Sequence, residues 1–364
     1  MRKFIPVSEP YITELELKYI TRAVKSGWVS SLGKYITQFE ENFADYCGSK
    51  YSLATSNGTT ALHLALTASN IQSGDEVIVP DFTFVATANA VKYCGAKPVF
   101  VDIEPNTLCI DPDSILHAIT KNTKAIIPVH IYGHPANMQA IMEIAEKYNL
   151  IVIEDCAEAH GAAIGEKKVG TFGKCGVFSF YGNKIITSGE GGMLITDDEK
   201  LYIRSKILRD HAMSSTKRYW HTEIGFNYRL TNIQAALATA QLEKIEKILK
   251  KRKTIFEKYS KRLKRNLRLK LNYTLPGYKN VFWMIRLEIE GYDEEKRNKL
   301  MDNLKQKGID SRPYFYPVSD MPMYECADTP VTHSLYSRGI NLPSYQRLTD
   351  EEIEYVCNTI LKLV

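Results

Sequence analysis

The sequence predicts an α/β protein: a large domain with a mainly parallel sheet flanked by helices, then a smaller C-terminal α+β domain. Three observations predict it. From about residue 54 to 200, short β-rich runs alternate with helical patterns. Most of those runs are apolar almost throughout, as in strands buried on both faces. After a long amphipathic stretch, roughly Thr231–Asn266, the pattern changes. Strand–helix alternation implies a parallel sheet covered by helices, with ligands beyond the carboxyl ends of its strands.

The strand runs, in order, are EVIVP (76–80), KPVFVDI (97–103), KAIIPVHIYG (124–133), LIVIEDCA (150–157), GVFSFYG (176–182) and GGMLITD (191–197). Between them, Met138, Ile141, Met142, Ala145 and Tyr148 follow the spacing of one helix face, predicting a helix over Asn137–Asn149. The stretch Thr231–Asn266 reads as a long connecting helix. Beyond it, VFWMIRLEIE (281–290) reads as a strand, and Glu294–Lys307 and Asp350–Leu363 as helices. The expected division is residues 1–245 for the large domain and 246–364 for the small one. There is no internal repeat and no low-complexity segment.

A length of 364 residues suits two domains, and 44% hydrophobic with 24% charged residues is ordinary for a globular chain. The formal charge of +5 is too small to argue for nucleic acid. Most of the basic excess lies in Lys244–Arg268 and reads as a solvated helix face. The seven cysteines (47, 94, 109, 156, 175, 326 and 357) form no CxxC pair, which argues against a disulfide framework and a thiolate zinc site. The opening MRKFIPVSEPYITELE lacks the apolar core of a signal peptide, and no run of 18 apolar residues occurs. A reducing, cytoplasmic setting without membrane association is the expectation.

Three segments carry candidate chemistry. In IEDCAEAHG (153–161), Glu154 and Asp155 end a predicted parallel strand, so a carboxylate stands at the sheet mouth or caps a turn. In SNGTTALHLAL (56–66), Asn57, Gly58 and Thr59 open a helix, whose free N–H groups suit a phosphate or a plain N-cap. In FSFYGNKIITSGEGG, Lys184 is a surface residue or a desolvated amine able to form a Schiff base, with Ser179 five positions earlier. A Schiff-base lysine, an upstream Asp for a pyridine nitrogen and a helix start for a phosphate are together what pyridoxal phosphate requires. The pair His130 and His134 sits on a strand running into a loop, where i, i+4 spacing does not face one metal, so no metal is expected. GTFGKCG (170–176) is not GxGxxG and no GxxxxGK[ST] occurs, which leaves nicotinamide and nucleoside-triphosphate chemistry little support.

The chain resembles the nucleotide-sugar aminotransferases, a branch of the fold type I pyridoxal-phosphate enzymes. The matching segments are GWVSSLGKYITQFE (27–40), SNGTTALHLAL (56–66), GDEVIVPDFTFVATANAV (74–91), VHIYG (129–133), EDCAEAHGA (154–162), FSFYGNKIITSGEGGM (178–193) and GFNYRLTNIQAA (225–236). The resemblance implies a fold type I aminotransferase-like architecture and pyridoxal 5′-phosphate bound through Lys184, the catalytic residue. Asp155 would pair with the pyridine nitrogen, and Ala157 and Phe84 would flank the ring. Glu158, where many members have Gln, would face the phenolic oxygen and share a proton with it. Gly58, Thr59 and Ser179 would hold the phosphate. Asn227 would reach the neighbouring subunit's phosphate, making the unit a homodimer with shared sites.

The segments SGWVSS (26–31), FYGNK (180–184), SRPYFYPVSDMPMY (311–324) and RGINLPSY (338–345) resemble members that aminate carbon 4 of a GDP-linked 4-keto-6-deoxymannose, giving perosamine for glycan biosynthesis. L-Glutamate is the implied donor. Alternatives are a UDP- or dTDP-linked 4-keto-6-deoxyglucose, giving viosamine, and a non-catalytic regulator of the same fold. Arg312 beside Tyr314, with Trp28, Ser30, Ser31 and Arg229, are the candidate substrate contacts. His160 is a packing residue or a sugar contact.

Overall fold

Most strands and helices fall where the apolar pattern places them, but the run expected as a strand over 124–133 is strand only as far as Ile126, and Ile131–Gly133 is a short 3-10 turn. The computed structural model describes residues 4–364. In chain order the strands are β1 Tyr51–Thr55, β2 Glu76–Pro80, β3 Lys97–Val101, β4 Thr123–Ile126, β5 Ile151–Asp155, the short β6 Ala163–Ile164 and β7 Lys167–Lys168, β8 Cys175–Ser179 and β9 Gly192–Thr196. Seven of these form one sheet in the order β1-β9-β8-β5-β4-β2-β3. Only β9 runs against its neighbours β1 and β8; the other pairings are parallel. Strands β8 and β9 are buried at every position, as their near-continuous apolar sequence requires.

Helices cover both faces of this sheet. One core holds Phe39, Phe43, Phe178 and Phe180, whose rings meet edge to face. The other packs the helix Gly58–Ala68, through Leu62, Ala65 and Leu66, against Val77, Ile153, Val177 and Leu194. The helix Met138–Tyr148 begins at the N-cap Asn137, whose side chain accepts from the Ala140 N–H, and ends at a left-handed Asn149.

The later chain adds β10 Leu269–Leu271, β11 Tyr278–Lys279, β12 Ile285–Ile289, β13 Arg312–Pro313 and β14 Gly339–Leu342. Four of them make an antiparallel sheet, β10-β12-β14-β13, and β11 joins β6 and β7. A third core gathers Tyr259, Leu263, Ile285, Leu287, Ile340, Leu342, Ile353 and Val356, together with Ile5 from the amino-terminal segment.

Two further expectations are refined. The long helix over Thr231–Asn266 is two helices, Asn232–Leu242 and Ile245–Leu263. At the break, the Lys244 ammonium turns inward to the buried Glu16 carboxylate and donates to the Tyr11 carbonyl at 3.1 Å. The strand expected over 281–290 starts at Ile285, because Phe282 is held left-handed at φ 51° and the chain turns there.

Candidate active site

The site lies at the carboxyl edge of the large sheet. Asp155 ends β5 and Ser179 ends β8, and these strands are parallel neighbours. Lys184 follows β8 in a turn closed by its own N–H on the Tyr181 carbonyl, 3.0 Å. From β1 the chain passes directly into the helix Gly58–Ala68. Topology therefore delivers a lysine, a carboxylate and a helix start to one place.

The helix start is built to meet an anion. The Asn57 side chain caps the Thr60 N–H at 2.9 Å, while the N–H groups of Gly58 and Thr59 have no intrahelical acceptor. A Cβ on Gly58 would lie 2.8 Å from the Cβ of Ser179. Only glycine lets the Ser179 hydroxyl stand this close to the helix start. This cradle fits the phosphate of pyridoxal phosphate.

Asp155 is buried at 5% exposure. Its Oδ2 accepts from the Thr87 hydroxyl at 2.8 Å and its Oδ1 from the Ala157 N–H at 3.1 Å. Burial raises its carboxyl above the usual range, while these two bonds and Lys184 oppose the rise. A protonated pyridine nitrogen would supply the missing positive charge, which suits this carboxylate to the ring.

Only 12% of the Lys184 side chain is accessible. Its Nζ lies 3.7 Å from Glu158 Oε1 and 4.0 Å from the centroid of the Trp283 ring. Burial pulls the amine below the usual lysine range, against the pull of Glu158 and Asp155. Lowering the proton affinity of a lysine raises the share of neutral amine, the form that acts as nucleophile and base. Burial also pushes the Glu158 carboxyl up to about 7, countered by Lys184 and by the Tyr132 N–H, which donates to Oε2 at 2.8 Å. Tyr132 is itself left-handed, at φ 52°.

Glu154 faces away from this group and anchors the scaffold. It accepts from the N–H groups of Gly170, Phe172 and Gly173 at 2.7, 2.7 and 2.8 Å and from His130 Nε2 at 3.0 Å. The Ala136 N–H donates to His130 Nδ1 at 2.9 Å, so the ring proton sits on Nε2. Cys156 completes a buried trio with His130 and Glu154, but this carboxylate is already saturated by donors.

The other expected residues divide by exposure. Phe84 is 56% exposed, and Ala157 is half-buried. Arg229 pairs with Asp210 and donates to Ser31 Oγ at 3.1 Å, which joins two candidate substrate contacts. Asn232 holds the strip before them through the carbonyls of Trp28 and Ser30, both at 2.6 Å, and leaves the Trp28 ring exposed. Asn227 is exposed. Arg312 is exposed and bonds Asp310 at 2.8 Å. Tyr314 is buried with its ring over Gly339, and His160 is buried between Phe178 and Phe180, 5.4 Å from each ring. Burial pulls the His160 ring down to about 3.

Sequence reading missed Thr87, Tyr132 and Trp283. Thr87 was one hydroxyl among several in FTFVATANA, and Trp283 sat in a run that reads as a plain strand.

Residues 10–361 match the DegT/DnrJ/EryC1/StrS aminotransferase family. A Vibrio cholerae protein named GDP-perosamine synthase is 43% identical over 360 residues, covering 98% of each chain. The protein of that name from Escherichia coli O157:H7 is 44% identical, again with 98% of each chain covered. Among solved structures, the Streptococcus pneumoniae protein Spr1654 in its PLP form superposes with a TM-score of 0.95 at 27% identity, covering 99% of this chain and 98% of that one. The cofactor is pyridoxal phosphate and the activity is transamination: the chain belongs to the DegT/DnrJ/EryC1/StrS aminotransferase family.

Proposed function

We propose that this aminotransferase converts GDP-4-keto-6-deoxymannose to GDP-perosamine, with L-glutamate as donor. The full-length likeness to proteins named GDP-perosamine synthase supports the substrate. The observation that carries the chemistry is the buried Lys184 amine, 3.7 Å from Glu158 and at the same sheet edge as Asp155.

When bound, pyridoxal phosphate supplies the electron sink that makes a neighbouring C–H bond acidic. Gly58, Thr59 and Ser179 would hold its phosphate, Ala157 and Phe84 would flank its ring, and Asp155 would keep its pyridine nitrogen protonated. Glu158 would face its phenolic oxygen. Lys184 takes the proton from Cα of glutamate in the first half-reaction, which releases 2-oxoglutarate. In the second it delivers a proton to carbon 4 of the sugar.

Arg229, Arg312, Trp28, Ser30 and Ser31 are assigned to the nucleotide sugar, and the buried His160 and Tyr314 to packing behind it. Asn227 is assigned to the phosphate site of a second subunit in a homodimer. Its own segment exposes Tyr219, Trp220 and Ile224 at 75%, 55% and 89%, apolar surface that a partner would cover. The division near residue 245 is supported by the separate core around β12 and β14. No described helix is long and apolar enough to cross a membrane.

The test is turnover with glutamate on GDP-4-keto-6-deoxymannose beside UDP- and dTDP-4-keto-6-deoxyglucose. The GDP sugar alone is expected to yield a 4-amino product. Consumption of only the UDP or dTDP sugar contradicts the assignment.

A further inference from the structure

We propose that Trp283 is a catalytic residue: its indole face is the platform on which the Lys184 ammonium rests whenever that amine carries a proton. The inference rests on the reading of Lys184 as the reacting amine.

The contact is direct. Lys184 Nζ lies 4.0 Å from the Trp283 ring centroid, within the range where a ring quadrupole attracts a cation. Trp283 is 4% exposed, so little water screens the attraction. Its position is fixed at three points. The indole N–H donates to the carbonyl of Asn183, the residue just before Lys184, at 2.8 Å. The Trp283 backbone N–H donates to the Tyr132 carbonyl at 3.1 Å. The buried Arg252 guanidinium donates to the Trp283 carbonyl at 2.9 Å. The ring is presented by a turn in which Phe282 is left-handed, a conformation that tertiary contacts must hold in place.

Chemistry explains why such a platform is useful. A base that takes up a proton becomes an ammonium inside a buried site, where burial disfavours charge. The charged groups that face it are Glu158 at 3.7 Å and Asp155, both on the segment that ends β5. The buried imidazole of His160 lies near the amine, and the Tyr132 hydroxyl is on the adjoining turn. Neither carboxylate makes an ideal ion pair with the amine. The indole offsets part of the desolvation without an acidic group that would hold the proton too firmly. Only the lysine nitrogen gains and loses the proton; the indole exchanges none.

The experiment reads the free amine in apo-protein, by trace acetylation with acetic anhydride across pH and mass spectrometry of the Lys184 peptide. Trp283→Leu is expected to lower the amine's midpoint by about one pH unit, a roughly tenfold loss of proton affinity. Trp283→Phe is expected to fall between. Fluorinated tryptophan, in a Trp28→Phe, Trp220→Phe background, weakens the ring face without changing its shape. It is expected to lower the midpoint in step with fluorine count, which keeps the test decisive if the leucine variant does not fold. An unmoved or raised midpoint in the fluorinated series overturns the proposal. No sugar is used, so failure here is distinct from failure of the substrate assignment.

Discussion

Gly58 and Ser179 approach so closely that a Cβ on Gly58 would lie 2.8 Å from the Ser179 Cβ and 3.3 Å from its hydroxyl oxygen. Real Cβ atoms do not tolerate the first distance, so Gly58→Ala must push the two halves of the phosphate cradle apart. Helix propensity favours alanine there, so the fold is retained. The expected result is at least a tenfold weaker affinity for pyridoxal phosphate, about 1.4 kcal/mol, read by spectral titration. Unchanged affinity contradicts the cradle.

Thr87 reaches Asp155 from the helix Ala86–Tyr93, and among the described residues its hydroxyl is the only side-chain donor on that carboxylate. Thr87→Val removes it and pushes the Asp155 carboxyl further up, weakening its hold on the pyridinium. A loss of about 1.5–3 kcal/mol is expected for a hydrogen bond to a charged group, or roughly ten- to a hundredfold in kcat. Thr87→Ser restores the donor and is expected to recover most of the rate. Equal losses in both variants point to packing alone.

His160 makes stability depend on acid. Its ring is held down at about 3 against an ordinary 6.5. Between those values the unfolded chain binds a proton that the folded chain does not, so stability falls as pH drops from 6.5 toward 3. The full span is worth roughly 5 kcal/mol by linkage. Urea unfolding of wild type and His160→Phe at pH 7 and pH 5 measures it. The phenylalanine variant is expected to lose less stability on acidification, and an identical loss refutes the assignment.

Asp81 ties the segment after β13 to the end of β2. Its carboxylate accepts from the Ser319 N–H at 2.7 Å, the Ser319 hydroxyl at 2.8 Å and the Thr329 hydroxyl at 2.6 Å. Asp81→Ala leaves three donors without their acceptor in a buried place. Destabilisation of about 3 kcal/mol or more is expected in denaturant unfolding. A change under about 0.5 kcal/mol, the range of ordinary surface substitutions, contradicts this picture.

The parts of the site that could be read from sequence were those tied to a backbone pattern. Lys184, Asp155 and Ser179 each follow or end a buried strand, and Gly58 opens a helix, so local pattern and chemistry coincide. Strand β2 and the helix Asp350–Leu363 fall on their expected residues for the same reason. What escaped depends on contacts between distant segments. Trp283 meets Lys184 across 99 positions, and its flanks read as strand until Phe282 turns left-handed. Thr87 meets Asp155 across 68 positions and carries no local signature. The break before Ile245 has no proline or glycine to announce it; it follows from Lys244 turning toward the distant Glu16.

Reduction of the purified holoenzyme with borohydride, followed by peptide mapping, tests the role of Lys184 most directly. The site described here predicts one pyridoxyl group per chain, on Lys184, and loss of the label and of transamination in Lys184→Ala with the fold intact. A label on another lysine, or a Lys184→Ala variant that still transaminates fully, contradicts it.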